Sequence, residues 1–167
     1  MRSRAIRWIL PLLLVLVAGV GVAMAATASM SSKNGTVKTA HSSKYGTILV
    51  ASNGMTLYRY TPDRKNASTC SAACAKYWPP LVVKAGTKPT AGSGATASLL
   101  GTTKRSNGSM QVTYAGWPLY FYAGDKKTGQ TSGQGFEKSW YVVATSGALV
   151  KGAVSTGGTT TKKSAWG

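Results

Sequence analysis

The chain has 167 residues, with 20 Lys or Arg against three Asp or Glu and a formal net charge of +17 at pH 7. Its single histidine is His41, which lies before the repeats described below. This composition excludes a Ser-His-Asp or Cys-His arrangement within the repeats and leaves few carboxylates for acid–base catalysis. We therefore do not expect an enzyme.

The N-terminal residues have the pattern of an export signal. Three arginines, Arg2, Arg4 and Arg7, precede an apolar run over 8–23, and Ala-Met-Ala at 23–25 is typical of a signal-peptidase site. The run of about 16 residues is short for a membrane span, which needs about 20. We predict a cleaved signal peptide over 1–25 and no span after cleavage; a retained anchor is the alternative. Cleavage removes three arginines and leaves a charge of +14.

The mature chain opens with a polar segment and continues as a hairpin. Residues 26–44 are rich in Ala, Ser, Thr and Lys without a hydrophobic period, which predicts a flexible lead-in. The run 46–51 favours a β-strand, Asn-Gly at 53–54 is a tight-turn signal, and 55–60 forms the return strand. Pro62 ends that strand because proline donates no hydrogen bond to a ladder.

A compact stretch closes the first half of the chain. Residues 68–78 contain enough alanine for a short helical turn, and a brief strand follows at 81–83. The Gly, Thr, Ala and Pro-rich residues 84–96 predict a loop.

The second half repeats this order of elements. Strands are predicted over 98–105, 110–114 and 117–122, and a last hairpin over 140–150 turns at Ser146-Gly147. The Gly, Thr and Lys-rich residues 152–167 predict a disordered tail.

A constant offset of 62 residues relates the two halves. A period of this size indicates tandem structural units that share one core. We predict a mainly β protein in which two tandem hairpin-based repeats, units 45–90 and 98–151, form one pseudo-symmetric antiparallel β domain over 45–151 with short helical turns. The offset pairs Gly46 with Gly108, Val50 with Val112, Gly54 with Gly116, Leu57 with Leu119, Tyr58 with Tyr120, Tyr60 with Tyr122, Asp63 with Asp125, and Trp78 with Trp140.

The repeated tyrosines and aspartates are the candidate site residues, and they have two interpretations. Each set forms either a ligand-binding corner, with aromatic faces beside a carboxylate, or a turn in which the aspartate accepts backbone N–H bonds near a tyrosine hydroxyl. Trp78 and Trp140 are interpreted as core anchors. Strand parity places Leu57, Leu119 and Phe121 on one face, and Tyr58, Tyr60, Tyr120 and Tyr122 on the other, near Asp63 and Asp125.

The two cysteines, Cys70 and Cys74, predict a disulfide because the protein is exported. The alternative is a thiolate site for Cu(I) that also uses Met55 or Met110. We favour the disulfide and expect neither metal nor cofactor.

The positive charge favours anionic surroundings. Lys and Arg occur singly or in pairs, without a basic helix or a known nucleic-acid-binding module. We expect attraction to anionic cell-envelope polymers or a membrane surface, and no specific nucleic acid; simple solubility is the competing explanation.

The string from Gly46 to Asp63, continued by Cys74-Ala75-Lys76-Tyr77-Trp78-Pro79-Pro80-Leu81, resembles a bacterial family of secreted tandem repeats. That family is marked by a Tyr-x4-Asp motif, which residues 120–125 repeat, and is commonly labelled as predicted lipoproteins of unknown function. The resemblance covers roughly Tyr45 to Val150. It implies an exported, envelope-associated protein and brings no established activity. The lipid-attachment cysteine of a lipoprotein is absent here.

These observations together predict a non-enzymatic binding or structural module of the cell envelope. An extracytoplasmic redox or metal protein that binds copper or haem is the alternative. A hydrolase that uses the repeated aspartates as acid and base is a third possibility.

Overall fold

The computed structural model describes residues 35–154. The mainly β class with short helical turns is confirmed. The predicted signal peptide 1–25, residues 26–34 of the predicted lead-in and residues 155–167 of the predicted tail lie outside the described residues. The elements are β1 (Val37–Ser42), β2 (Gly46–Ala51), β3 (Tyr58–Tyr60), α1 (Ala72–Tyr77), β4 (Val82–Val83), β5 (Leu100–Lys104), β6 (Met110–Tyr114), β7 (Trp117–Pro118) and β8 (Trp140–Val142), with 3₁₀ turns at Ala97–Leu99 and Phe136–Lys138.

Strand β1 lies within the predicted flexible lead-in, and for these residues that prediction is wrong. β1 pairs antiparallel with β2 along its whole length. Its other edge is held by the loop after the first unit, because the amides of Val37 and Thr39 donate to the carbonyls of Thr90 and Ser93, each at 3.0 Å. Only Val37 of this strand is fully buried, so its side chains alternate too weakly to be recognised from the sequence. The first unit therefore begins before its predicted boundary.

The two units are related by two offsets rather than one. The amide of Leu57 donates to the carbonyl of Leu49 at 3.1 Å, and the matching bond runs from Leu119 to Val112 at 3.0 Å. Leu57 and Leu119 are 62 residues apart, whereas Leu49 and Val112 are 63 apart. The predicted gapless offset is therefore wrong for the strands before the turn, and the pairings of Gly46 with Gly108 and Val50 with Val112 are coincidental.

The extra residue lies in the first unit's turn. Residues 52–54 form that turn, closed by the amide of Ala51 on the carbonyl of Met55 at 2.9 Å. The second unit uses only Ala115-Gly116, whose φ angles of 51° and 81° are those of the two-residue turn that matches strand twist. Because the first turn has one residue more, the residues before it are offset from their counterparts by 63 positions rather than 62.

The units meet along a pseudo-twofold axis that passes between equivalent tyrosines. The amide of Tyr58 donates to the carbonyl of Tyr120 at 2.8 Å, and the amide of Tyr120 returns a bond to the carbonyl of Tyr58 at 3.0 Å. A residue that pairs with its own counterpart is the signature of a twofold interface. Here that interface lies inside one chain.

Each unit's last strand completes the sheet of the other unit. β8 of the second unit pairs with β3 of the first, and the amide of Leu49 donates to the carbonyl of Val143 at 2.8 Å. In the other direction, β4 of the first unit pairs with β6, and the amide of Val112 donates to the carbonyl of Leu81 at 2.8 Å. Neither unit therefore contains all of its own sheet.

Two hydrophobic clusters follow from the strand parity. The predicted faces are confirmed, because Leu57, Leu119 and Phe121 lie in one cluster while Tyr58 and Tyr120 lie in the other. The aliphatic core contains Val37, Leu49, Ala51, Met55, Leu57, Leu81, Val83, Val112, Tyr114, Leu119, Phe121 and Val143. The aromatic core contains Tyr45, Ile48, Val50, Tyr58, Cys70, Trp78, Tyr120, Trp140 and Val142, with Tyr60 and Tyr122 packed against it.

Helix α1 is the short helical turn that the alanines predict. The disulfide between Cys70 and Cys74 is confirmed and ties the helix to the chain before it. The helix ends where the amide of Trp78 donates to the carbonyl of Cys74 at 2.9 Å. Helix and disulfide thereby deliver Trp78 to the aromatic core.

Candidate functional site

The two repeated aspartates occupy buried turns at the ends of their strands. Asp63 is 4% exposed and Asp125 is 1% exposed. The amide of Asp63 donates to the carbonyl of Tyr60 at 3.2 Å, and that of Asp125 to the carbonyl of Tyr122 at 3.0 Å. Aspartate suits such turns because its short side chain accepts nearby backbone amides.

One oxygen of each carboxylate is bound by the loop that follows. Asp63 Oδ1 accepts from the amide of Thr69 at 2.7 Å and from its hydroxyl at 2.9 Å. Asp125 Oδ1 accepts from the amide of Ser132 at 2.9 Å. Each aspartate therefore shapes the loop of its own unit.

The other oxygen is bound by a tyrosine from the opposite unit. Tyr120 Oη donates to Asp63 Oδ2, and Tyr58 Oη donates to Asp125 Oδ2, each at 2.6 Å. Tyr58 Oη also accepts from the amide of Gly133 at 3.3 Å. The two tyrosine–aspartate pairs are thus exchanged across the axis and join the units beneath the surface.

Burial raises the pKa of both tyrosines far above the usual value near 10, and the hydrogen bond to the aspartate raises it further. Tyr58 and Tyr120 consequently remain neutral donors throughout the physiological range. All four groups of the two pairs are hydrogen-bonded to one another, to neighbouring backbone amides, or to the hydroxyls of Ser68 and Thr69.

Above these pairs, four aromatic rings form one continuous stack. Tyr60 stacks on Trp140 with ring centroids 4.3 Å apart, and Trp140 lies parallel to Trp78 at 3.8 Å with an angle of 2° between the rings. Tyr122 follows on Trp78 at 4.4 Å. The axis passes between the two tryptophans, because each half of the stack is the counterpart of the other.

The stack forms the base of an open cleft of about 310 Å³. This volume lies at the lower end of the range of small-molecule sites, about 300 to 1,000 Å³. Two aromatic rings of the cleft face solvent, since Tyr77 is 68% exposed and Phe136 is 41% exposed. The lining residues are Tyr60, Cys74, Tyr77, Trp78, Tyr122, Phe136, Glu137 and Trp140.

The lining departs from the twofold symmetry at a few positions. Phe136 occupies the place that Cys74 holds in the first unit, so the disulfide is present on one side only. Glu137 corresponds to Ala75, and Tyr77 corresponds to Ser139. The symmetric framework of Tyr and Trp is therefore completed by one carboxylate and one phenol without counterparts.

Glu137 is the one side-chain carboxylate of residues 35–154 that faces solvent, because both aspartates are buried. No basic side chain of this described region pairs with it. Its backbone is left-handed, with φ of 49°, and Lys138 follows with φ of 52°. Left-handed non-glycine residues cost about 1–2 kcal/mol each, so the surrounding turn holds Glu137 at the cleft against a local preference.

Arg59 breaks the symmetry in the aliphatic core, where its counterpart is Phe121. Its Nη1 donates to the carbonyl of Gly147 at 2.5 Å, and its guanidinium lies 3.9 Å from the ring centroid of Trp117. Burial lowers the pKa of Arg59 to about 10, and the charge of Asp63 partly opposes that shift. The group still carries its charge at neutral pH.

The residues considered for a metal do not come together in the part of the chain that the structure describes. Within residues 35–154, no three His, Cys, Asp or Glu side chains are grouped as they would be around an ion. Cys70 and Cys74 are bonded to each other. Met55 is buried in the aliphatic core and Met110 packs against it.

The sequence-predicted residues thus divide into two layers. Tyr58, Tyr120 and the aspartates lie beneath the stack, while Tyr60 and Tyr122 belong to the cleft together with both tryptophans. Sequence reasoning missed Tyr77, Phe136 and Glu137 as cleft residues. The available signal was that Glu137 is the only acid without a counterpart in the other unit.

Fold and site define a two-unit β protein with an aromatic cleft on its internal axis. The chain matches the family described as a secreted repeat of unknown function at residues 39–82 and again at 101–144. Together these matches cover more than half of the chain, so the protein belongs to this family, as the resemblance predicted. No curated protein and no solved structure matches the chain. Among residues 35–154, no helix has the length and apolarity to cross a bilayer.

Proposed function

We propose that this secreted protein is a non-enzymatic binding module of the cell envelope whose ligand site is the aromatic cleft. The observation that carries the proposal is the cleft itself, in which exposed rings surround a stack that both units build. Soluble monomers tend to cover such apolar surface unless it serves binding.

The polar groups favour binding over catalysis. Both aspartates already accept hydrogen bonds from tyrosine and backbone, so neither is free to exchange protons with a substrate. His41 is exposed on β1 and does not line the cleft. Glu137 is the one carboxylate at the cleft, whereas hydrolysis by paired carboxylates needs two.

In this proposal the basic surface of the protein holds it at the cell envelope. A strongly positive protein is drawn to anionic wall polymers or headgroups, and salt screens that attraction because the Debye length falls to about 8 Å at physiological ionic strength. The mature protein should bind anionic vesicles at low salt, elute as salt rises, and bind zwitterionic vesicles much more weakly. Retention on anionic vesicles in high salt would contradict the electrostatic part.

The cleft is tested by titrating the mature protein with small neutral aromatics, sugars and organic cations while following the NMR signals of the indole N–H groups. At least one class should shift the signals of Trp78 and Trp140 saturably. The double variant Tyr77→Ser/Phe136→Ser should lose the response. Val82→Ser is the matched control, because it removes another exposed apolar side chain, 42% exposed and outside the cleft.

The proposal fails if no class of compound shifts those signals in the wild type. It also fails if the double variant responds as strongly as the wild type does, because the compound would then bind elsewhere.

A further inference from the structure

We infer that the cleft binds an organic cation of the quaternary ammonium type, such as a trimethylammonium group. This inference rests on the proposed function and specifies its ligand. Three features carry it: the angles between the rings of the cleft, the small number of hydrogen-bonding groups, and the position of Glu137.

The rings at the mouth of the cleft form a corner rather than a slot. Phe136 meets Trp78 at 61° and Tyr122 at 41°, with centroids 5.7 Å and 5.9 Å apart. A flat aromatic ligand can be sandwiched only between parallel walls, which these rings do not form. Trp140 and Tyr122 already cover both faces of Trp78. The faces open to a ligand therefore belong to the exposed rings Tyr77 and Phe136. The electron-rich faces of Tyr and Phe attract a cation within about 6 Å, and a rounded group needs no parallel partner ring.

Few polar groups are available to a ligand in the cleft. The polar side-chain groups of its lining are the hydroxyls of Tyr60, Tyr77 and Tyr122, the indole N–H groups of Trp78 and Trp140, and the carboxylate of Glu137. A sugar carries many hydroxyls that need partners when they are desolvated. A quaternary ammonium group has no N–H to satisfy, so aromatic faces and one carboxylate meet its requirements.

The charge of Glu137 selects for a cation at this one place. The chain is strongly basic, so its surface in general repels cations. Glu137 has no basic partner among the described residues, and it lines the cleft, whereas its counterpart in the first unit is the uncharged Ala75. The carboxylate thus offsets the general repulsion at this concave aromatic surface.

The experiment compares choline with 3,3-dimethyl-1-butanol, the neutral compound in which carbon replaces the nitrogen of choline. The mature protein is titrated with each, and affinities are taken from the indole shifts of Trp78 and Trp140. Choline should bind about tenfold more tightly, since cation–π attraction and Glu137 both favour the charge. Glu137→Gln should weaken choline about threefold and leave the neutral compound unchanged, while Glu137→Asp retains most of the preference.

Two results would overturn this inference while leaving the proposed function intact: equal affinity for choline and its neutral counterpart, or no effect of Glu137→Gln on that ratio. Absence of binding by choline also overturns it, and the proposed function then depends on the other compound classes. A choline response that survives Tyr77→Ser/Phe136→Ser contradicts it as well, because the site would lie elsewhere.

A second arm identifies the source of the group. Vesicles of phosphatidylcholine are added at a salt concentration that abolishes binding to anionic vesicles. Co-sedimentation that requires Glu137 and Phe136 assigns the ligand to a lipid headgroup. Binding of choline without binding of these vesicles assigns it to a free solute.

Discussion

The exchanged tyrosine–aspartate pairs allow a quantitative test of how the two units are held together. Tyr58→Phe removes one hydroxyl, keeps the ring, and leaves Asp125 Oδ2 without its donor. A hydrogen bond to a charged group contributes about 1.5–3 kcal/mol, and a buried charge left without a partner raises the loss. We expect Tyr58→Phe to lower the free energy of unfolding by about 3 kcal/mol.

The equivalent substitution on the other side should cost less. After Tyr120→Phe, Asp63 still accepts two bonds from Thr69, whereas after Tyr58→Phe Asp125 keeps only the amide of Ser132. Tyr58→Phe also leaves the amide of Gly133 without its acceptor. Tyr120→Phe removes the bond between Tyr120 Oη and Ser68 Oγ, but Ser68 Oγ still accepts from Arg105 Nη1 at 2.8 Å. We expect Tyr120→Phe to cost about 2 kcal/mol, so the two variants should differ although the sequence motif is the same.

Urea unfolding followed by circular dichroism measures both losses of stability. The comparison holds if the slope of the free energy of unfolding against urea concentration is the same in each variant. A double-mutant cycle of Tyr58→Phe with Asp125→Asn should give a coupling energy of about 1.5–3 kcal/mol. The reasoning would be refuted by losses below about 0.5 kcal/mol, the range of ordinary surface substitutions, or by Tyr120→Phe being the costlier change.

Three further outcomes follow from the structure. The folded protein keeps Tyr58 and Tyr120 protonated above their unfolded pKa of 10.0. Their stabilisation is therefore complete below pH 10 and is lost as pH rises beyond it, and the urea midpoint should fall less steeply in the Tyr58→Phe/Tyr120→Phe variant. Lys138→Gly should stabilise the fold by about 0.5–1 kcal/mol because it relieves a left-handed backbone, and a lower urea midpoint would contradict this. Fragments 35–86 and 87–154 should each lack a cooperative thermal transition in circular dichroism yet recover one when mixed; a cooperative transition in either fragment alone would disprove mutual dependence.

Much of the architecture was predictable because it depends on local pattern. The alternation of side-chain direction along 55–60 and 117–122 correctly placed the leucines and the tyrosines on opposite faces of the strands. The turn signals correctly placed the hairpins. β1 was not predicted because β2 and the loop at 90–93 hold it through backbone hydrogen bonds. Such bonds do not depend on the type of side chain. Composition alone cannot distinguish such a strand from a polar linker.

The register and the cleft were not predictable for a different reason. The single-residue difference between the turns was hidden by chance identities at Gly46 with Gly108 and Val50 with Val112. The stack and the cleft form only when Trp78 and Trp140 meet across the axis, and that contact depends on the tertiary structure. Glu137 reaches the cleft through a left-handed turn that its residue type does not favour.

Joining the two halves in one polypeptide has a chemical consequence at the axis. In an assembly of two identical subunits, a glutamate at the position of Glu137 would recur on the opposite rim, and the two negative charges would repel each other. A covalently linked pair escapes that constraint, so Glu137 places an anion at the cleft while its counterpart in the first unit is the uncharged Ala75. A bound molecule therefore meets two different walls and binds in one preferred orientation. A cleft with exact twofold symmetry would bind the same molecule equally well in two orientations.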